Sequence, residues 1–331
     1  MRRISETTNR PKQLWPCLGI FCACLLALAA GSAAQTATPT ASKNPSASAA
    51  KAETFATPQQ AADALIEATE EYDVPRLERI LGPEGKDIIL TGEPARDKQM
   101  AAAFAAEARE KKSVSEDPEG GNRAFLLVGK EDWPFPVPIV KRDNQWAFDA
   151  KAGRQEILYR RIGRNELDAI QICHGYVEAQ HEYALEKREG YNVHQYAQRI
   201  ISTPGKQDGL AWRNPDGTWG GPIGENIAEA IEKGYTSKAE PYHGYFFKVL
   251  KGQGPAAPLG RLDYVIEGVM IGGFALVAAP AEYRVTGVMT FIVSQDGVVY
   301  QKDLGPDTLN IFAKMELFNP DDTWSPVEED E

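Results

Sequence analysis

Residues 164–189, RNELDAIQICHGYVEAQHEYALEKRE, carry a pattern that a long helix satisfies. At about 100° per residue, Leu167, Ile170, Cys173, Val177, Gln180 and Ala184 share one arc, and Ile172, Tyr176, Ala179 and Tyr183 share the next. Together they make an apolar face wider than a surface helix needs. The helix therefore calls for cover on more than one side, as from a sheet and a neighbouring domain. The residues after it read as sheet, and those before it as a smaller, separate unit.

The remaining stripe of this helix holds Gln171, His174, Glu178, His181 and Glu182. Two imidazoles and two carboxylates on one face are chemically able to hold a metal, which makes His174, Glu178 and His181 metal-ligand candidates. The simpler reading is a solvated face laced by i,i+3 and i,i+4 pairs. His181-Glu182 begins like the zinc-protease helix motif, but no second His follows at the required spacing. No metal or other cofactor is therefore expected.

The N-terminus sets the compartment. Arg2, Arg3, Arg10 and Lys12 precede an apolar run from about Leu14 to Ala30, followed by small residues to Ala34. This is the layout of a secretory signal over 1–34, and the protein is expected to be periplasmic or secreted. No later stretch is long enough to span a membrane. Cys17, Cys22 and Cys24 would leave with the signal, so Cys173 has no partner for a disulfide and reads as a buried thiol. Removing four basic residues and one acidic residue takes the net charge from −11 to −14. So acidic a chain, without a basic run, is a poor match for nucleic acid or anionic lipid.

After the signal, residues 35–52 are rich in Ala, Ser, Thr and Pro and read as a disordered tether. A first domain over 53–152 opens with Thr57-Pro58-Gln59-Gln60, a helix start with a capping residue and a possible capping box. Further helices are expected from Asp73 to Gly82 and around Asp97–Lys111, then a loop from Ser113 to Asn122. Strands follow at 123–129, at Trp133–Ile139 and at 145–149. The prolines of WPFPVPI restrict that segment to an edge. Helices followed by a small antiparallel sheet, with Trp146 and Phe148 in its last strand, resemble the cystatin-like or nuclear-transport-factor-like folds.

In the second domain, 153–327, residues 153–163 read as a lead into the central helix and Tyr191–Ile201 as a short helix. Another helix is expected over Ile223–Gly234. Strands are expected at 242–250 and 273–279, a hairpin at 288–302, and a closing helix at 306–318. Residues 328–331 form an acidic tail. The fold class is α+β, a small helical and antiparallel-sheet domain followed by a long helix packed on a second antiparallel sheet.

The segments GKEDWPFPVPIVKR (129–142), GRNELDAIQ (163–171), ISTPGKQDGLAW (201–212), PYHGYFFKVL (241–250), MIGGFALVAAPAEY (270–283) and GVMTFIVSQDGVVYQKDLGPDT (287–308) resemble a bacterial family of secreted proteins known as a domain of unknown function. The C-terminal half also resembles the globular heads of type IV pilin-like proteins, through Ala179-Gln180 with Tyr183, Gly244-Tyr245-Phe246, FALVAAP and Asp296-Gly297-Val298. That resemblance implies a helix lying across an antiparallel sheet. The pilin's hydrophobic stem is missing, so filament formation by the usual route is not expected.

Chemistry is sparse. There is no G-x-S-x-G, no paired cysteine and no phosphate loop around Gly205-Lys206. The chain reads as a noncatalytic interaction module of the cell envelope, its partner an envelope protein or cell-surface component. The alternatives are an envelope hydrolase, a metal-dependent enzyme, or a carrier holding a small ligand near Trp133, Phe135 and Trp146. Any binding site is expected in the loops around Lys206, Asp208 and Trp212, and around Tyr242, His243 and Tyr245, because loops on a rigid scaffold carry function.

Overall fold

The computed structural model describes residues 51–90, 92–117, 121–187, 192–225 and 241–328. The signal, nearly all of the tether, most of the helix expected over Ile223–Gly234 and the end of the acidic tail lie outside the described residues. The chain is α+β and divides into two compact units, with the boundary between Ile157 and Leu158.

The first unit begins with helices α1 (Pro58–Glu70), α2 (Val74–Leu81), α3 (Lys86–Ile89) and α4 (Pro94–Glu110). The expected cap is made: Thr57 Oγ1 accepts from the Gln60 N–H at 3.2 Å. Gln60 Oε1 reaches back to the Ala56 N–H at 3.2 Å, one residue earlier than in a capping box. Asp73 caps α2 through the Arg76 N–H, and Gly82, at φ 73°, ends it. Five strands follow: β1 (Lys112–Glu116), β2 (Arg123–Val128), β3 (Trp133–Pro134), β4 (Ile139–Arg142) and β5 (Gln145–Phe148). They form an antiparallel sheet in the order β1-β2-β4-β5, with β3 also paired to β2.

Two expectations change here. The loop expected at Ser113–Asn122 begins as β1, whose single apolar residue, Val114, gives no alternation, but whose backbone pairs with β2 throughout. The Trp-Pro-Phe-Pro segment keeps only two residues of strand, since each proline removes a ladder donor. Its apolar residues are not equivalent: Val137 and Ile139 are fully buried, and Trp133 is 58 % exposed. The core between helices and sheet centres on Leu65, Ile66, Ile80, Leu126, Ile139 and Phe148.

The long helix α5 runs Ala150–Tyr183, starting fourteen residues before the expected Arg164. Asp149 Oδ1 accepts from the Ala152 N–H and caps it. Residues 153–163, expected as a lead into the helix, are part of it, and their two glycines serve differently. A Cβ at Gly153 would stand 2.6 Å from Val137 Cγ2, whereas one at Gly163 would meet nothing within 4 Å.

The second unit adds β6 (Arg199–Ile201), β7 (Gly209–Arg213), β8 (Trp219–Gly220), β9 (Tyr245–Leu250) and β10 (Gly252–Gln253). Short strands β11 (Leu262–Asp263), β12 (Val265–Ile266) and β13 (Val269–Met270) lead to β14 (Ala275–Pro280), β15 (Met289–Ser294) and β16 (Val299–Asp303). Helix α6 (Thr308–Lys314) and β17 (Ser325–Pro326) close the chain. The main sheet is antiparallel in the order β17-β16-β15-β14-β9. By strand alternation, Tyr245, Leu276, Phe291 and Val293 share one face and join Ala169, Cys173 and Tyr176 of α5 in one core. On the opposite face Lys248 Nζ bonds the Phe312 and Ala313 carbonyls near the end of α6.

Gln180 is fully buried and links α5 to residues 195–201. Its Nε2 donates to the Ala197 carbonyl and its Oε1 accepts from the Ala197 N–H, both at 2.8 Å, while Nε2 also reaches Tyr176 Oη at 2.8 Å. Because Ala197 spends both backbone groups on this amide, residues 192–198 are not the helix expected there. The chain instead enters β6, which pairs parallel with β7.

Two stability tests follow. Gly163→Ala is expected to stabilise the second unit by about 1 kcal/mol, and Gly153→Ala to destabilise the first, each measured by chemical denaturation. Gln180→Leu strands the Ala197 groups and is expected to remove about 3 kcal/mol by the same measurement.

Candidate functional site

One side of α5 is tied to loops of the second unit by polar groups. Glu166 Oε1 accepts from the Val288 and Met289 N–H groups at 2.8 and 3.0 Å. Asn165 Nδ2 donates to the Thr286 carbonyl at 2.8 Å. One turn further along the helix, Asp168 Oδ2 meets His243 Nδ1 at 2.6 Å.

His243 stands in a tight turn closed by reciprocal bonds between Tyr242 and Tyr245, each 3.0 Å. His243 has φ 49° and Gly244 φ 76°, the two positive angles that such a two-residue turn requires. At Gly244 a Cβ would also stand 2.5 Å from Asn165 Nδ2. The His243 ring sits edge-to-face on Tyr242, centroids 4.4 Å apart. A carboxylate only accepts, so in the neutral imidazole Nδ1 carries the proton and Nε2 is left as an acceptor. Burial, and secondarily the Asp168 charge, push the Tyr242 phenol up, so it stays a neutral donor.

This pair stands at one end of a half-open groove of about 430 Å³. Ile172, Gly175 and Ala179 of α5 line it together with Phe247 and Leu276 of the sheet. Ile200 and Pro222–Gly224 contribute as well. The polar groups are Asp168, Gln171, Tyr242 and His243; no Lys, Arg, Ser, Thr or Cys occurs among the described lining residues. Gly175 shapes the groove: it lies inside a helix, and a Cβ there would meet nothing within 4 Å. Glycine at such a position costs about 1 kcal/mol relative to alanine, and it leaves the groove open.

The structure thus brings Tyr242 and His243 together at the groove and places the other candidates elsewhere. Tyr245 is core: its side chain is buried, its hydroxyl donates to the Met289 carbonyl at 2.8 Å, and burial pushes its pKa up. Asp208 organises its own loop, accepting from the Thr203 N–H and hydroxyl at 2.7 and 2.8 Å. Lys206 is exposed on that loop, whose backbone is also fixed by Tyr183 Oη donating to the Gln207 carbonyl. Trp212 is half-buried beside Gly220 and does not line the groove. On the polar stripe of α5, Glu178 is exposed, His174 half-buried, and His181 packs edge-on against Phe274 at 5.5 Å. Among the described residues no three His, Cys, Asp or Glu gather as a metal site. Phe135 and Trp146 belong to the first unit's core, and the groove lies in the second.

Asp168 and Gly175 are the groove positions that the sequence reading missed. With Gln171 they recur at i, i+3 and i+7, a polar and small stripe between the apolar arcs, and His243-Gly244 is a legible two-residue turn.

Residues 52–327 match the family described as "Protein of unknown function (DUF2950)". The chain belongs to that family. No curated protein and no solved structure matches it. The family description carries no activity, so the geometry alone bears the functional argument.

Cys173 is fully buried, and burial pushes its thiol up to about 12. About one thiol in ten thousand is then ionised at pH 8, too few for a nucleophile. In protein prepared without residues 1–34, Ellman's reagent is expected to leave the native state unmodified at that pH and to titrate one thiol per chain on unfolding.

Proposed function

We propose that the chain is a noncatalytic binding module of the cell envelope, periplasmic or secreted, and that the groove beside α5 holds part of an envelope protein. The observation that carries this reading is the groove itself. Its walls are mostly apolar, its polar groups are gathered at one end, and a helix-interior glycine keeps it open. A concave apolar site with a few convergent polar groups is the usual form of a binding site. The signal-like N-terminus supports the compartment. The likeness to pilin-like heads supports an assembly or secretion role, served here without a polymerising stem.

His243 and Asp168 also resemble a general-base pair, which favours a hydrolytic second reading in which Nε2 activates water. The described lining residues offer no serine, threonine or cysteine nucleophile and no lysine or arginine to stabilise an oxyanion. Binding is therefore the reading the groove supports best.

Gly175→Leu projects a side chain into the groove from an exposed helix position, and an unchanged melting temperature separates lost binding from a folding defect. The mature protein, crosslinked in its own envelope fraction, is expected to capture one near-stoichiometric partner that Gly175→Leu loses while keeping its melting temperature. Equal capture by both proteins would remove the groove from the function.

A further inference from the structure

Resting on that reading, we infer that the groove takes an apolar segment of a partner polypeptide that ends in a lysine side chain, its ammonium group placed against Asp168 and His243. Three observations carry this. First, Asp168 is the one formally charged group among the described lining residues apart from His243, and no Lys or Arg accompanies it. Second, Asp168 and His243 are both acceptors toward a ligand, while Tyr242 beside them keeps its proton and Gln171 carries both a donor and an acceptor. The Asp168 carboxylate only accepts, and its bond to Nδ1 turns the neutral imidazole's Nε2 into an acceptor too. An ammonium group supplies three donors and a positive charge to this pair, whereas a carboxylate supplies neither. Third, the groove is half-open rather than enclosed. A half-open groove admits a chain segment from solvent, which a closed cavity would prevent.

The position of the pair strengthens the case. Asp168 is 29 % exposed and His243 45 % exposed, so each keeps accessible surface for a ligand while Tyr242 shields one side of the imidazole. The chain as a whole carries net charge −11, which favours approach by a cationic segment and opposes an anionic one.

The test uses the mature protein at pH 7.5 and the peptide acetyl-Leu-Phe-Leu-Lys-amide, with Gln and Glu versions of the last residue, measured by isothermal titration. The Lys peptide is expected to bind about tenfold more tightly than the Glu peptide. Raising the salt should weaken the Lys peptide and leave the Gln peptide nearly unchanged. Asp168→Asn retains an acceptor for His243 Nδ1 and is expected to shrink the Lys-over-Glu preference to less than about twofold. The salt dependence on the unaltered protein decides the matter if that variant does not fold.

Equal binding of the three peptides, all lost in Gly175→Leu, would overturn the charge inference and leave the groove as a binding site. Tight binding of 4-phenylbutylamine with none of the Lys peptide would replace the polypeptide by a small amine. No binding of any peptide, together with unchanged envelope capture by Gly175→Leu, would overturn both this inference and the proposed function.

Discussion

The buried amide of Gln180 is the contact on which the second unit is built. It meets Ala197 as a strand partner would, with one donor and one acceptor, and it also holds the Tyr176 hydroxyl, which lies 3.4 Å from the Ala275 carbonyl of the main sheet. Three segments distant in sequence, α5, residues 195–201 and β14, therefore meet at one side chain. Buried polar groups are costly when half-satisfied and specifying when fully paired. With this amide in place, Tyr196 packs on Phe274 at 4.8 Å, β6 lies along β7, and Ile200 arrives at the groove.

The groove is a consequence of this arrangement and of one omission. A helix as broadly apolar as α5 would normally be covered along its whole core side. Here the sheet covers Cys173 and Tyr176, and the stripe carrying Asp168, Gln171 and Gly175 is left lining the groove among the described residues. Glu166 and Asn165 then fix the loops beside it, satisfying the Val288 and Met289 amides and the Thr286 carbonyl. The tyrosine-flanked turn is thereby held against the helix by groups that do not themselves line the groove. That division suits a site whose ligand-facing residues are kept in place by a supporting shell.

Much of the fold was legible in the sequence because local signals and tertiary needs agreed there. Thr57 and Asp73 cap where their side chains predict, Asp143-Asn144 makes its turn, and Ser294–Gly297 joins the expected hairpin. The failures share a cause: the deciding partner was far away in sequence. Residues 153–163 looked like a lead-in because the packing of Gly153 on Val137 is invisible from its neighbours, and β1 looked like a loop because only β2 gives it meaning. Gln180 was placed on the apolar arc by periodicity alone, which found its burial but not the Ala197 bonds that explain it. The site was half legible for the same reason. Tyr242 and His243 announced themselves as a loop with chemistry, whereas Asp168 looked like any helix acid until the fold brought His243 to it.

The identity of residue 243 says more than the bond it makes. A pair exposed to this degree adds little to stability, on the order of 0–1 kcal/mol. The position also demands a positive φ, which glycine adopts readily and asparagine, aspartate and histidine adopt more often than other side chains. Asparagine could donate its amide to Asp168 and hold the turn equally well. What imidazole adds is the second ring nitrogen, with its lone pair set by the bond on the other side. It also adds a flat apolar surface against Tyr242. A turn selected for stability alone has no use for that acceptor. At the mouth of an apolar groove that acceptor is the group the proposed donor would meet.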